Sequence, residues 1–170
     1  CKDTGSWIKV MHWLVDFDDT LVIGPNTWAF EKVLPDLIEK YDLPYQKERF
    51  DTVMLEAQKR SAEEADESKL LAYIFSELNW RYDIGEELIH RVFNEYTPQV
   101  FPDTLAFLDA LKAASQKIYL VSNNRHAGMI AEQLGIGDYF ETVYIPKEDL
   151  LPKPNAHMWE RLRQDHVIDD

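Results

Sequence analysis

The first apolar run of the chain, Trp13-Leu14-Val15, stops abruptly at Asp16. A short apolar run ending in acids predicts a buried parallel strand whose carboxyl end opens into a site. Side chains two apart along a strand point the same way. Asp16 and Asp18 are therefore expected to face one crevice, while Phe17 turns into the core. Comparable runs return only much later, as Ile118-Tyr119-Leu120-Val121, which ends at Ser122, and as Val143-Tyr144-Ile145.

Between the first two runs the apolar period is helical. Phe30, Val33, Leu34, Leu37 and Tyr41 form one stripe, and Phe50, Val53, Met54 and Ala57 a second. Leu71, Ile74, Phe75 and Leu78 form a third, and Leu88, Ile89, Val92, Phe93 and Tyr96 a fourth. Asp83 followed by Glu86 predicts a capping box for the last helix. A crossover between parallel strands needs only a dozen or so residues, so this segment is an insertion. Its four amphipathic helices predict a small bundle with its own core, in which Trp28, Phe30, Tyr73 and Trp80 are packing residues. The run Glu63-Glu64-Ala65-Asp66-Glu67 is expected to be a solvated turn.

Afterwards the rhythm becomes α/β. Helices are expected over about 102–114, 125–134 (ended by Gly135) and 155–163, alternating with the strands at Ile118 and Val143. Alternating strands and helices predict a doubly wound parallel sheet with ligands at the carboxyl ends of its strands. Asp16, Ser122 and the loop bearing Lys153 all fall at that edge. The expected organisation is an α/β core at 11–24 and 97–170, interrupted by a helical domain at 25–96. Residues 1–10 are expected to be upstream or tag sequence, with Met11 as the natural start.

Composition narrows the field. With 45% hydrophobic residues the chain can build a real core. A net charge of −13 argues against nucleic-acid binding and against anionic membranes. The single Cys1 forms no internal disulfide and fits a reducing compartment. No stretch is apolar enough to span a bilayer and no signal-peptide core opens the chain, so a cytoplasmic location is expected. The five histidines show no metal-ligand spacing.

The acidic pair carries the chemistry. Two adjacent carboxylates repel unless a cation or a proton intervenes. A hard, oxygen-seeking ion such as Mg²⁺ supplies that compensation and also binds phosphate. One acid can then attack while its neighbour carries a proton.

The order Asp16-Phe17-Asp18-Asp19-Thr20, then Ile118-Tyr119-Leu120-Val121-Ser122-Asn123, then Lys153-Pro154, resembles the haloacid dehalogenase superfamily in its phosphatase branch. The resemblance runs from about residue 12 onward and implies a Rossmann-type core with a helical cap inserted after the first motif. It implies that Asp16 is the nucleophile, forming an aspartyl-phosphate, and that Asp18 is the general acid and then the base. It further implies that Ser122 hydrogen-bonds a phosphoryl oxygen, with backbone N–H groups near Asn123 where a helix is expected to start. Lys153 would neutralise charge in the transition state, and the nearby Lys147 lacks its Pro-then-helix context. Thr20 and Asn123 are expected substrate contacts, and Asp16 and Asp18 the Mg²⁺ ligands, the latter through its backbone oxygen. Relatives that are dehalogenases lack an acid at the position of Asp18, because a halide leaves without a proton; Asp18 therefore favours phosphate esters. Asp19 stands where relatives often have Gly and is assigned a turn role.

A fourth motif of this family is an acid after another strand. Here only His166-Val167-Ile168-Asp169-Asp170 qualifies, and two apolar residues are too few for a buried strand. The expectation is a chain cut short before that strand; the opposite reading makes Asp169 and Asp170 metal ligands. The function implied is a Mg²⁺-dependent phosphatase acting on a small phosphorylated metabolite, as a monomer or homodimer, with the cap opening for substrate and setting specificity. Its rivals are a phospho-accepting signalling domain, which would lack the helical insertion, and a catalytically silent binding protein of the same fold.

Overall fold

Short continuous apolar runs build a three-stranded parallel sheet in the computed structural model, which describes residues 10–64 and 70–166. The strands β1 (His12–Val15), β2 (Lys117–Val121) and β3 (Thr142–Tyr144) lie in the order β1-β2-β3. In chain order the helices are α1 (Pro25–Trp28), α2 (Leu34–Tyr41), α3 (Lys47–Glu64), α4 (Leu70–Glu77), α5 (Tyr82–Glu95), α6 (Thr104–Ala113), α7 (Ala127–Gln133) and α8 (His157–His166). Val15 is level with Leu120, and Val121 with Tyr144, so all three strands finish at one edge.

Successive side chains of β2 go to opposite faces, and both faces are buried. Ile118 and Leu120 pack with Val15, Phe17, Leu108 and Leu111 of α6, and Ala127 and Ala131 of α7. Tyr119 and Val121 pack with Tyr144, Leu150, and Met158 and Leu162 of α8. Helices on both faces of a parallel sheet make this the doubly wound, Rossmann-type architecture that the alternation predicts. Gly135 closes α7 at φ +72°, a left-handed conformation that costs glycine little, and Ile136 N–H then reaches back to the Ala131 carbonyl at 2.9 Å.

The chain divides into two compact units, Cys1–Gly24 with Pro98–Asp170, and Pro25–Thr97. The second unit holds α1 to α5 around its own core of Val33, Leu34, Leu37, Phe50, Val53, Ala57, Ile74, Phe75, Leu78, Trp80, Ile84 and Leu88, with Ala29. Its first stripe is not one uniform helix. Ala29–Val33 widens into a π-helical turn, with Leu34 N–H donating to the Ala29 carbonyl. Pro35 follows at once; it has no N–H to donate to the Glu31 carbonyl four residues back, and its ring crowds that carbonyl.

Three local expectations are corrected. Asp83 does not cap α5: the cap position is Arg81, which makes no capping bond, and the Asp83 carboxylate pairs instead with the Arg81 guanidinium. On the same helix Ile89 and Phe93 are exposed, Phe93 by 85%, because the buried stripe runs through Ile84, Leu88 and Val92 and the other two lie around the helix from it. Glu63 and Glu64, expected in a solvated turn, belong to α3, which continues through Glu64; residues 65–67 lie outside the described residues. So do residues 1–9 and the candidate metal acids Asp169 and Asp170.

On the second sheet face His12 stacks parallel to Tyr119, with Nδ1 3.0 Å from the Tyr119 hydroxyl. Burial, then the nearby Lys117 and His166, hold the His12 imidazole below its ordinary value of 6.5. The folded chain therefore binds fewer protons at this ring than the unfolded chain does. The contribution of His12 to stability should be intact above pH 6.5 and should fall as the pH drops below it. Urea unfolding followed from pH 7.5 to 5.5 checks this; a His12→Gln variant should lose part of the slope, and an identical slope would remove the assignment.

Candidate active site

The carboxyl edge of the sheet collects the acids, the hydroxyl and the amine that are far apart in the chain. Asp16 directly follows β1, Ser122 directly follows β2, and Lys153 lies in the segment joining β3 to α8. The Lys153 ammonium stands 2.7 Å from Asp16 Oδ1 and donates to the Val121 carbonyl at 3.0 Å. Asp16 Oδ1 also accepts the Phe17 N–H at 2.7 Å. The Asp16 side chain keeps 47% of its surface open, so it is accessible to a ligand. Lys147 is exposed and spends its backbone on a turn with Leu150; among the described ion pairs it is Lys153 that reaches Asp16.

Phe17 is wholly buried between the two acids, which anchors the start of the loop. Its carbonyl accepts N–H groups from Thr20, Leu21 and Val22, folding residues 17–22 into a tight turn. Asp19 occupies that turn at φ 58°, a left-handed conformation in which Asp is tolerated better than most residues and Gly best. Its Oδ1 accepts the Gly24 N–H at 2.9 Å, and a Cβ on Gly24 would come within 3.1 Å of Asp18 Cβ and of the Asp19 carboxylate. Thr20 is exposed on the same loop, two residues beyond Asp18. Downstream, Leu21 is tied to the core by the buried Thr104 hydroxyl, which donates to its carbonyl at 2.7 Å.

Ser122 is 1% exposed, and its N–H donates to the Tyr144 carbonyl at 3.0 Å, which carries the sheet pairing one residue past β2. Its Oγ accepts the Asn124 N–H at 3.0 Å. The expectation that a helix begins at about 125 is corrected: α7 begins at Ala127, because Asn124 first makes a side-chain turn in which its Oδ1 accepts the His126 N–H. Asn123 turns its amide onto the Lys153 backbone, donating to the carbonyl at 3.0 Å and accepting the N–H at 2.7 Å.

Asn124 is a residue that the sequence reading did not place in the site. Its Nδ2 donates to Asp18 Oδ1 at 3.3 Å while its backbone is held by Ser122. One side chain thereby links the acid after β1 to the hydroxyl after β2. The Asn-Asn pair was visible in the sequence, but either residue could equally have capped a helix.

Two carboxylates and backbone carbonyls are the hard oxygen donors that Mg²⁺ prefers, and half-open Asp16 leaves room for one. Among the described residues no cluster of three or more His, Cys, Asp or Glu is assembled to hold a metal. The donor set fits a cation that keeps several waters or shares substrate oxygens, as Mg²⁺ does.

A parallel sheet with an acid, a hydroxyl and a lysine brought to its carboxyl edge places these groups where doubly wound folds bind their ligands. Residues 11–167 match the family model for haloacid dehalogenase-like hydrolases, and the chain belongs to that family. No curated protein matches the chain. Among solved structures it is similar to a protein described as the HAD-hydrolase YfnB of Bacillus subtilis bound to magnesium, at 18% identity and TM-score 0.66, covering 95% of this chain and 75% of that one. It is similar to a protein described as a β-phosphoglucomutase of Thermotoga maritima at 17% identity and TM-score 0.59, covering 94% and 72%. A protein described as a phosphoglycolate phosphatase of Haemophilus somnus aligns at 18% identity and TM-score 0.51, covering 96% and 74%. At these identities the likeness is one of fold.

The turn conformation at Asp19 makes a separable expectation. Asp19→Val should destabilise the protein by about 1–3 kcal/mol, because a β-branched side chain is strained at positive φ. Asp19→Gly, which removes that strain while losing the bond to Gly24, should change stability by less than about 1 kcal/mol. Urea denaturation of the two variants decides it, and equal losses would show that the strain does not matter.

Proposed function

We propose that the chain is a Mg²⁺-dependent phosphatase that hydrolyses a small phosphomonoester through an aspartyl-phosphate at Asp16. The observation that carries this reading is the 2.7 Å approach of the Lys153 ammonium to Asp16 Oδ1, across two strands and at the edge where the fold binds ligands. A nucleophilic carboxylate meeting an anionic phosphate needs positive charge on both, and Lys153 supplies it to Asp16 directly. Mg²⁺, held through the Asp16 carboxylate and the Asp18 backbone oxygen, would supply the rest by drawing charge from the phosphoryl oxygens.

In the first step an Asp16 oxygen forms a bond to phosphorus and the ester P–O bond breaks. Asp18 gives its proton to the leaving alkoxide. In the second step water attacks the same phosphorus, its proton passes to the Asp18 carboxylate, and the P–O bond to Asp16 breaks to release phosphate. The Asn124 amide steadies Asp18 between the two steps. Ser122 has its Oγ lone pair on the Asn124 N–H, so its hydroxyl proton is the one offered to a phosphoryl oxygen. Thr20, exposed on the first loop, is a substrate contact in this reading. The substrate class is a small phosphorylated metabolite, the location cytoplasmic, and the state monomer or homodimer; neither nucleic acid nor membrane is a partner. No helix among the described residues is long and apolar enough to cross a membrane.

Turnover of p-nitrophenyl phosphate should require Mg²⁺ and should fall by at least about a thousandfold in Asp16→Asn. Undiminished turnover in that variant would remove the assignment. Asp18→Asn should lose about 10²- to 10⁴-fold on an alkyl phosphate but less on p-nitrophenyl phosphate, whose phenolate leaves without a proton. Stoichiometric labelling by acetyl phosphate without turnover would favour a phospho-accepting signalling domain instead.

A further inference from the structure

We propose that Asn123 is a positioning residue: it sets where the Lys153 ammonium stands by gripping the Lys153 backbone. Lys153 needs such a grip. It lies in a turn between β3 and α8, closed by the Asn155 N–H donating to the Pro152 carbonyl at 3.0 Å, with neither a strand ladder nor a helix to fix it. Its four-carbon stem is flexible, so the tip is placed well only if the root is also held.

Asn123 holds the root. Its Nδ2 donates to the Lys153 carbonyl at 3.0 Å, and its Oδ1 accepts the Lys153 N–H at 2.7 Å. A primary amide has one donor face and one acceptor face, and both are matched here to the two backbone groups of a single residue. The pairing imitates what a neighbouring strand would provide. Asn123 is itself well founded, because it directly follows Ser122, whose N–H is bonded to the Tyr144 carbonyl. The tip is held by the same short segment: the Val121 carbonyl accepts from the ammonium at 3.0 Å.

Proton counting then gives the outcome. An ammonium has three protons. One goes to Val121, one to Asp16 at 2.7 Å, and among the described residues the third is left for an anion beside Asp16. With root and tip both held from residues 121–123, the direction of that third proton is set by the end of β2. Asn123, expected as a phosphate contact, has both ends of its amide on the Lys153 backbone, and the role proposed for it is exerted through Lys153.

The kinetic part rests on the phosphatase reading, so the test has an arm that does not. Wild type, Asn123→Ala and Asn123→Gln are compared; the glutamine keeps the amide but moves it by one methylene, and thermal melts confirm folding of each variant. Limited acetylation of the native protein, mapped by mass spectrometry, should modify Lys153 several-fold faster in both variants while the Lys147 rate stays the same. With p-nitrophenyl phosphate and Mg²⁺, kcat should fall by about 10- to 100-fold with a much smaller change in KM. In a Lys153→Ala background the Asn123→Ala change should cost nothing further, whereas a merely structural role would cost the same in both backgrounds. An unchanged Lys153 acetylation rate overturns the proposal, as does an unchanged kcat in a variant of an active wild type. If the wild type shows no turnover, the phosphatase reading fails, and the acetylation ratio alone decides whether Asn123 positions Lys153.

Discussion

Two carboxylates placed two residues apart just after the edge strand β1 repel each other, and much of the α/β unit can be understood as the means of compensating them. The nearest compensation is the ammonium of Lys153, brought to 2.7 Å from Asp16 although it lies far along the chain. That approach requires β3 to lie beside β2, β2 beside β1, and all three strands to run in the same direction. An antiparallel neighbour would carry its following loop to the opposite edge. The electrostatic requirement and the sheet topology are thus the same constraint seen at two scales.

Polar groups around the acids are used economically. Asn123 serves Lys153, and Asn124 serves Asp18, so two consecutive side chains after β2 attend to groups from the other two loops. The tight turn after Phe17 depends on one carbonyl accepting three N–H groups and on a left-handed aspartate. Burial of Phe17 on one face of the sheet, and of Tyr119 and Val121 on the other, fixes the strand ends against which these bonds are made. The helical unit is stabilised separately. Its aromatic cluster of Phe50, Phe75 and Trp80 packs ring against ring, and α2 is joined to α5 by the pair of Asp36 with Arg91, which also pairs with Glu95 within α5.

Legibility in the sequence followed the strength of local physics. Strands ending in acids and helical stripes could be read because burial imposes a period that solvent-exposed segments lack. The same period misled at Ile89 and Phe93, since two overlapping apolar stripes on one helix cannot both face a core. The π-helical turn before Pro35 was missed although its cause was in plain view, because the apolar spacing on either side of the proline suggested a uniform helix. The capping box at Asp83 failed because α5 begins at Tyr82, which places Asp83 within the first turn rather than at the cap, and its carboxylate pairs with Arg81.

The sequence by itself determined the class of fold, the division into an α/β part and a helical part, and the candidate acids, hydroxyl and lysine. Each of these depends on residue type and on short-range period, which are properties of the chain alone. Only the tertiary structure decided that Asn123 grips Lys153, that Asn124 reaches Asp18, and that Lys153 rather than Lys147 meets Asp16. Those are hydrogen bonds and an ion pair of about 3 Å between residues 30 or more positions apart, and such distances exist only after the strands have been laid side by side.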